Sequence, residues 1–483
     1  DRAPHGVVVR AKGGGRNAEM SFLCQNRQAR PLTRREMLRT SSAGFGALAL
    51  QGLLAQEGQA ASALSPKPAP SPARAKRIIF LFMHGGPSQV DLFDHKPQLT
   101  RDDNKPLPFE KPRIVSAKTG NLLASPWKFG KHGQSGAEVS EILPRLSSIV
   151  DDLCIVKSIY GSNSRHGGAL LELHTGSDTF TRPAMGSWIN YGLGTLNENL
   201  PQFIGMGPRY FDRSDGHYLG PAYDEVKLKI DPKKPLDFAK PEGEFPLEEQ
   251  RLGFGLVNRL NRITAGKYPG DAALEARIKS YELAFRMQTS VPDVVNFDSE
   301  TEVTKNLYGF DQKETRPFGQ QLLAARRFAE RGVRFIQIMH GDGAAGAWDA
   351  HGGLKANHSK LAMQVDRPIA GLLKDLKQRG LLDETLVVFA TEFGRTPGSQ
   401  GSNGRDHHPY GFSVWMAGGG IKGGVAHGAT DEIGFHTVEN PHYVTDVHAT
   451  ILHQLGLESH RMEIPRHKRL EQDFGHVIHD ILA

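Results

Sequence analysis

Residues 77–87, which read RIIFLFMHGGP, decide the fold of this chain. After Arg77 the run is apolar without interruption, and it ends in a Gly-Gly-Pro turn. It lacks the alternation of polar and apolar residues that is typical of a strand with one face in water. Strands that are buried on both faces have this pattern, and parallel sheets are built from them. The stretch therefore predicts a buried strand of a parallel sheet.

Three further stretches repeat this pattern: residues 153–156 (LCIV), 333–339 (VRFIQIM) and 385–391 (TLVVFAT). A helical pattern over 320–331 precedes the second of them. Another over 362–380, which ends at a glycine, precedes the third. Helix followed by strand, repeated along a chain, predicts an α/β fold with a mostly parallel central sheet.

The rest of the chain is organised around this sheet. A Pro-, Ala- and Ser-rich stretch predicts a linker over 64–76, and one α/β domain is predicted over 77–483. Residues at about 200–300 are first rich in Asp, Pro and Lys and then helical in pattern, so we predict a helical insertion that covers part of the sheet. No internal repeat and no transmembrane segment is predicted.

A twin-arginine export signal is predicted within residues 1–63. Arg34 and Arg35 are followed by a short apolar run over 43–55 and by small residues over 58–63. The apolar run is shorter than the about 20 residues that cross a bilayer, so we expect cleavage rather than anchoring. The alternative is a surface amphipathic helix behind a basic tail. Export through the twin-arginine machinery predicts a periplasmic or extracellular protein.

Net charge and cysteine content narrow the function classes. The sequence carries +6, but residues 1–63 hold nine of the 59 basic and four of the 53 acidic residues, which leaves about +1. The remainder is therefore not predicted to bind nucleic acid. Cys24 lies in the leader and Cys154 is left alone, so no intramolecular disulfide forms after cleavage. Such an exported protein relies on its core or on a metal ion.

Metal-type side chains follow the predicted strands, at the edge of the sheet where ligands of open α/β folds collect. They are His84, Asp91 and Asp94 after the first strand, His340, Asp342, Asp349 and His351 after the third, and Glu392, Asp406, His407 and His408 after the fourth. Imidazole and carboxylate together suit Zn, Mn or Fe, and carboxylate with water suits Ca or Mg. We therefore predict a divalent metal cofactor, with Zn, Mn or Ca as candidates.

Each of these residues also has an ordinary interpretation. Twenty of the 21 histidines follow the leader, so a histidine in any one loop is unremarkable, and the spacing of Asp349 and His351 is short enough for chance. Glu392 also fits a helix-capping carboxylate. His95, His358 and His442 lack a strand-end context and are predicted to be surface residues. These interpretations do not explain why candidate ligands follow several strands at once.

Four motifs connect the chain to a known family: LFMHGGPSQVDLFD (81–94), WDAHG (348–352), TEFGRTP (391–397) and GRDHHP (404–409). Together they resemble domain of unknown function 1501, from about residue 77 to residue 481. That family is similar to the alkaline phosphatase, sulfatase and phosphoglycerate mutase superfamily, and residues 445–457 resemble a sulfatase helix that ends in a Leu-Gly turn. The resemblance implies an alkaline-phosphatase-like three-layer sandwich with helical insertions.

The resemblance also implies metal ligands. The first metal carboxylate of the superfamily directly follows the first strand, where this chain has His84, so Asp91 or Asp94 would have to substitute for it. An Asp-x-x-x-His pair is similar to Asp349 and His351, which are spaced more closely.

An Asp-His dipeptide of the superfamily matches Glu392 and Phe393, so only the carboxylate is retained and a full two-zinc site is not implied. The final histidine of the superfamily matches His408, with His407 as the alternative, and Asp406 adjoins both.

The superfamily places its nucleophile at a helix start after the second strand. Here residues 158–176 read SIYGSNSRHGGALLELHTG, without the Cys-x-Pro-Ser-Arg motif of formylglycine chemistry. The resemblance implies Ser162 or Ser164 as nucleophile, Arg165 as an anion clamp and His166 as a ligand or acid. The alternative is that both serines cap a helix.

These residues predict an exported, metal-dependent hydrolase of phosphate or sulfate esters, which acts on a small molecule or a glycan. The alternative is a non-catalytic exported protein of the same fold that recognises anionic glycans or an envelope partner. A metal-dependent mutase or transferase is a third hypothesis, which the sequence does not separate from a hydrolase.

Overall fold

The fold is taken from a computed structural model of the 483-residue chain. It describes residues 65–110, 119–208, 215–231, 247–268, 272–462, 464, 467 and 474–483. All of them belong to one compact unit that runs from Ser62 to Ala483. The predicted export signal in residues 1–63 lies outside the described residues.

The described residues form fifteen strands and eleven α-helices. The strands are β1 (Arg77–Met83), β2 (Phe129–His132), β3 (Ala137–Ser140), β4 (Cys154–Tyr160), β5 (Phe203–Met206), β6 (Val226–Leu228), β7 (Phe335–His340), β8 (Thr385–Ala390), β9 (Gly394–Gln400), β10 (Gly404–His408), β11 (Phe412–Ala417), β12 (Val425–His427), β13 (Ala429–Thr430), β14 (Thr437–Glu439) and β15 (His442–Tyr443). The helices are α1 (Gln89–Leu92), α2 (Pro97–Arg101), α3 (Pro144–Ser147), α4 (His166–Thr175), α5 (Met185–Leu193), α6 (Leu247–Lys267), α7 (Ala272–Val295), α8 (Glu302–Leu307), α9 (Arg316–Glu330), α10 (Leu354–Gln378) and α11 (Val444–Gln454).

A nine-stranded sheet forms the centre of the fold, in the order β12-β4-β11-β8-β1-β7-β5-β6, with β15 also paired to β4. β1 lies between β7 and β8 and is parallel to both, with Phe80 beside Gln337 and Val388. Only β11 runs antiparallel to its neighbours. The predicted α/β fold with a mostly parallel sheet is confirmed, and the stretch at 77–83 is a central strand.

Helices cover both faces of the sheet. Alternate residues of β1 enter two different cores: Ile79 and Leu81 pack with residues of α9 and α10, whereas Phe80 and Phe82 pack with residues of α4, α5 and α11. Because every β1 side chain is buried on one face or the other, the strand has no polar position to alternate with. The arrangement is therefore a three-layer sandwich of helix, sheet and helix.

The predicted linker and insertion differ in detail from what the structure contains. The backbone N–H groups of Lys67, Ser71 and Arg74 donate to carbonyl groups of the domain, so this segment lies against it. Within the predicted insertion, β5 pairs parallel to β7 and β6 pairs parallel to β5, so both strands extend the sheet, while α6 and α7 form the helical part. The pattern misses these strands because they have only four and three residues. No helix among the described residues is long and apolar enough to span a bilayer.

The direction of the strands determines where the polar turns meet. β1, β4, β7 and β8 are parallel, so the turns that follow them emerge at one edge of the sheet, which we call the carboxyl edge. β11 runs the opposite way, so its start lies at this edge. The β9–β10 hairpin, which connects β8 to β11, therefore brings its last residues to the same place.

Candidate metal centre

Seven metal-type side chains converge at the carboxyl edge: His84, His166, Asp349, His351, Glu392, Asp406 and His407. They form three overlapping groups of three. In each group the ligand atoms all lie within 4.8 Å of one another. The first group is His84, His166 and Glu392; the second is His166, Asp349 and His407; the third is His351, Asp406 and His407. His166 and His407 each belong to two groups, so the seven side chains form one continuous cluster, the candidate metal centre.

Two strand-end turns position the first group. His84 directly follows β1, and Glu392 follows β8, the strand next to it. The backbone N–H of Gly85 donates to Glu392 Oε1 at 2.9 Å. Gly85 has φ +116°, and a Cβ there would lie 2.6 Å from the backbone nitrogen of Asp349. A glycine is needed here because the turn after β1 and the Asp349 turn pack backbone against backbone.

Asp349 lies at the middle of the centre. Its Oδ1 is 2.6 Å from Arg395 Nη2, 2.9 Å from His351 Nε2, 3.2 Å from His407 Nε2 and 3.6 Å from His166 Nε2. Arg395 is fully buried, and its Nε also donates to the Gly86 carbonyl at 2.7 Å. The guanidinium group therefore holds the carboxylate at one fixed orientation, and the imidazoles approach it from the other sides.

The ring nitrogens of two histidines face each other in the third group. His351 Nε2 and His407 Nε2 are 3.0 Å apart. His407 Nδ1 lies 2.7 Å from the carbonyl oxygen of Ser164, which can only accept, so Nδ1 carries the proton. The Nε2 of a neutral His407 then presents a lone pair to the centre. A backbone carbonyl that fixes the other ring nitrogen in this way is typical of a metal-ligating histidine.

Electrostatic coupling perturbs the pKa values of these groups. Burial alone would raise the pKa of Asp349, but the imidazoles of His166, His351 and His407 and the guanidinium of Arg395 hold it well below its usual range. Burial would lower the pKa of His166, yet Asp349 and Glu392 raise it overall. Without a metal ion the carboxylates are thus ionised and stabilised by protons on nearby imidazoles. A divalent cation would replace that positive charge.

The donor atoms of the cluster fit a divalent ion. Asp406 is 1% exposed, and its Oδ2 atom has no hydrogen-bond partner among the described residues. A buried carboxylate oxygen without a partner costs free energy, and a cation would satisfy it. A mixed set of imidazole nitrogens and carboxylate oxygens suits Zn or Mn better than Mg or Ca.

Five of the metal-type residues that follow the predicted strands lie outside these groups: Asp91, Asp94, His340, Asp342 and His408. The chain turns from His84 into the short helix α1. From this helix Asp91 Oδ2 forms an ion pair with Arg405 Nε at 2.7 Å, and both side chains are fully buried. Asp94 pairs with Lys96 at 3.1 Å and accepts from the Thr430 hydroxyl.

His408 contacts the carbonyl oxygen of Phe435 through Nε2. It is the last residue of β10, where successive side chains point to opposite sides, so His407 faces the centre and His408 faces away. Of the two histidines implied by the resemblance, the structure brings only His407 into the three groups, and Asp91 and Asp94 lie outside them.

The two candidate serines differ in their surroundings. The Ser162 hydroxyl donates to Glu172 at 2.6 Å and contacts Asp178 at 3.1 Å. Ser164 is joined to the centre by the bond from His407 to its carbonyl oxygen. The N-cap of α4 is Arg165, which is exposed and whose side chain makes no capping hydrogen bond. Neither serine occupies the N-cap position of this helix.

Sequence reasoning did not assign a role to Arg395, although it lies in the TEFGRTP motif. The sequence contained one signal for it: Arg395 comes three positions after Glu392, which follows a predicted buried strand. His358 was predicted to be at the surface and that prediction is wrong. It is 0% exposed on the inner face of α10, and its Nε2 accepts from the Ser88 N–H at 3.0 Å.

Fold and site together define an α/β protein with a cluster of metal-type ligands at the carboxyl edge of a parallel sheet. The chain belongs to the family described as "Protein of unknown function (DUF1501)", whose model matches residues 75–482. None of the curated proteins compared with the chain matches it.

Solved structures with a similar arrangement include the lipoteichoic acid synthase LtaP from Listeria monocytogenes, at 10% identity and a TM-score of 0.33, covering 86% of this chain and 78% of that one. The zinc complex of the C-terminal periplasmic domain of EcEptC from Escherichia coli has 8% identity, coverage of 82% and 88%, and a TM-score of 0.37. A protein in the alkaline phosphatase superfamily from Vibrio parahaemolyticus has 10% identity, coverage of 85% and 74%, and a TM-score of 0.36. At such identities the function has to be inferred from the residues of this chain.

Proposed function

We propose that the protein is an exported, metal-dependent hydrolase of phosphate or sulfate esters. The observation that supports this most is the cluster of seven metal-type side chains beside the start of α4. Ester hydrolysis needs a positive charge near the ester oxygens, a nucleophile and a proton donor for the leaving group. Each of these has a candidate at the carboxyl edge.

His84, His166 and Glu392 would hold one divalent ion, and Asp349, His351, Asp406 and His407 offer ligands on the other side of the cluster. A divalent ion at such a centre polarises an ester and makes a nearby hydroxyl more acidic. His166 and His407 each belong to two groups, so the number of ions depends on which ion each of these two histidines would bind.

Ser164 is our candidate nucleophile. It lies between the centre and the first turn of α4, where the free backbone N–H groups of a helix favour an anion. The hydroxyl of Ser162 is instead engaged by two carboxylates. Arg165 is exposed at the N-cap position, where it would bind the anionic ester group. His166, whose pKa is raised by Asp349 and Glu392 against the effect of burial, would donate a proton when it is not a ligand.

The predicted export signal agrees with the same proposal. The paired arginines at positions 34 and 35 are typical of a route that carries folded proteins, and a folded protein crosses with its metal ion in place. Cys154, the free cysteine among the described residues, is buried in β4, so this part of the chain contains no disulfide. A tightly bound ion would contribute the stability that disulfides give other exported proteins.

The test is metal analysis combined with turnover on the purified full chain. Protein prepared without added metal should contain a stoichiometric transition metal by mass spectrometry and should hydrolyse an aryl phosphate or an aryl sulfate. Asp349→Ala should remove metal and turnover together. Ser164→Ala should keep the metal and lower turnover by about 100-fold or more, the scale of losing one group that acts in the transition state.

Ser162→Ala is the matched control, two residues away, and should retain most of the turnover. Folded protein without metal and without either activity would exclude the proposal.

A non-catalytic binding protein for anionic glycans or an envelope partner is the second candidate. The Phe393 ring stacks on His407 at 4.4 Å, so an apolar side chain stands beside Glu392, where the implied dipeptide would have a second ligand. Under this alternative Ser164→Ala would leave binding of a sulfated glycan unchanged, and no ester would be turned over by the parent protein.

A further inference from the structure

We propose that His427 and His442 form a second metal site, separate from the candidate metal centre, that binds zinc or another imidazole-preferring transition metal. Both residues lie at the outer edge of β4. His427, at the end of β12, is in register with Val156, and His442, at the start of β15, is in register with Ile159. Neither residue belongs to the three groups at the carboxyl edge.

The two ring nitrogens that face each other have the spacing of a shared ion. His427 Nε2 and His442 Nε2 are 2.9 Å apart, and the ring planes are inclined at 28°. Two imidazole nitrogens on one tetrahedral zinc ion, with bonds of about 2.0–2.1 Å, are about 3.3 Å apart. An increase of roughly 0.4 Å in the distance between the two Nε2 atoms would therefore make room for an ion.

A carboxylate orients one of these histidines from behind. His442 Nδ1 lies 3.1 Å from Asp446 Oδ2, and Asp446 Oδ1 accepts from the His476 backbone N–H at 2.8 Å. An ionised carboxylate only accepts, so His442 carries its proton on Nδ1 and presents the Nε2 lone pair to His427. Carboxylate, histidine and metal in this order is the usual arrangement of a ligating imidazole and its supporting group.

The rings are held in place but remain within reach of solvent. His427 is 8% exposed and the His442 side chain is 17% exposed, so water can fill the remaining positions around an ion. Asp480 also acts electrostatically on His427 and supplies negative charge nearby. Without an ion, His427 Nε2–H would donate to His442 Nε2, and this neutral hydrogen bond is the arrangement that the experiment must distinguish from a metal site.

An ion here would close a loop. His427 and His442 stand at the two ends of residues 428–441, which contain the β13–β14 hairpin and Phe435, the carbonyl partner of His408. Since an ion that binds only the folded protein stabilises it, the thermal midpoint should rise with zinc concentration.

Zinc titration of the full chain tests this site. Metal-stripped protein and the variants His427→Ala and His442→Ala are equilibrated with Zn²⁺, and bound zinc and the thermal midpoint are measured. Each variant should hold one equivalent less than the parent and should show a smaller zinc-dependent rise of the midpoint, because only the candidate metal centre still binds the ion. Asp446→Asn should keep the stoichiometry and weaken binding by about 10- to 100-fold.

His453→Ala is the matched control. His453 faces His479 with ring centroids 5.7 Å apart and edge-on, and it should bind zinc like the parent. Asp349→Ala separates the two sites, because it should lose zinc only at the candidate metal centre. Equal zinc content and equal midpoints in the parent, His427→Ala and His442→Ala would overturn the proposal.

Discussion

The histidines of the candidate metal centre do not share one direction of pKa shift, whereas two buried histidines that pack beside it, His340 and His358, both have lowered pKa values. Hydrogen bonding to Asp349 raises the pKa of His351. Burial lowers the pKa of His340 to about 4 and that of His358 to about 3. Burial outweighs the nearby carboxylates at His407 and His84, whose pKa values are lowered, so Asp349 and Glu392 raise the pKa of only some imidazoles of the centre. Among the imidazoles of the centre, His166 and His351 are therefore the ones that favour a proton.

The largest effect is expected from removing the cation that balances Asp349. Arg395→Met would leave a buried carboxylate without its guanidinium partner at 2.6 Å and would free the Gly86 carbonyl. We expect the free energy of unfolding to fall by about 3–5 kcal/mol, as for a broken buried ion pair. Urea denaturation of metal-stripped protein measures this. Arg379→Met, at a partly exposed ion pair, is the control and should cost about 1 kcal/mol or less.

Acid should destabilise the protein through the neutral histidines. His340 Nδ1 accepts from Trp348 Nε1–H and His358 Nε2 accepts from the Ser88 N–H, so protonation would break both bonds. Their folded-state pKa values lie below 6.5, so the unfolded chain binds more protons and stability falls as the pH drops from about 6.5 to 4. Each contributes up to about 3 kcal/mol over this window.

Denaturant midpoints measured between pH 4 and pH 7 test this slope, and His358→Gln should flatten it. His351 should act in the opposite direction. Its pKa is raised in the folded state, so its contribution is present below pH 6.5 and is lost as the pH rises through the raised value. If the pH dependence of stability is the same in His358→Gln as in the parent, neutral buried histidines are not what makes the protein sensitive to acid.

The smallest effect is expected at a histidine that belongs to neither set. His95 stacks on Phe129 and lies 3.3 Å from Glu138, with a quarter of its side chain exposed. His95→Gln should change stability by about 1 kcal/mol or less and should leave metal content and turnover unchanged. Calorimetry and metal analysis check both, and loss of metal in this variant would extend the centre beyond the seven residues.

The sequence predicted those parts of the molecule that depend on strand direction. Residues 77–83 form a central parallel strand as expected, and parallel strands bring His84 and Glu392 together although they are far apart in the chain. The position of Asp91 was not predictable in this way. It depends on α1, a four-residue helix whose direction follows from the Gly-Gly-Pro turn and the buried Arg405. An ion pair between residues so far apart in the chain leaves no local pattern in the sequence.

Burial of polar side chains was also beyond the sequence. His358 lies in a helical stretch whose apolar residues do not identify it as buried, and only the contact of α10 with the turn at Ser88 places it inside. The choice between His407 and His408 needed the register of β10 against β9, which contains a bulge between Arg405 and His407. The candidate ligands could be identified from the sequence because they follow strands, whereas the directions of their side chains could not be predicted.

Because β11 is antiparallel, the candidate metal centre is completed only by residues late in the chain. Its last ligand, His407, arrives on the hairpin before β11, and the first, His84, comes directly after β1, so some 320 residues separate them. Contacts of such sequence separation form late in folding. During synthesis the ligand set stays incomplete until residue 407 has left the ribosome. Up to that moment the nascent chain has no finished pocket to compete for cellular metal.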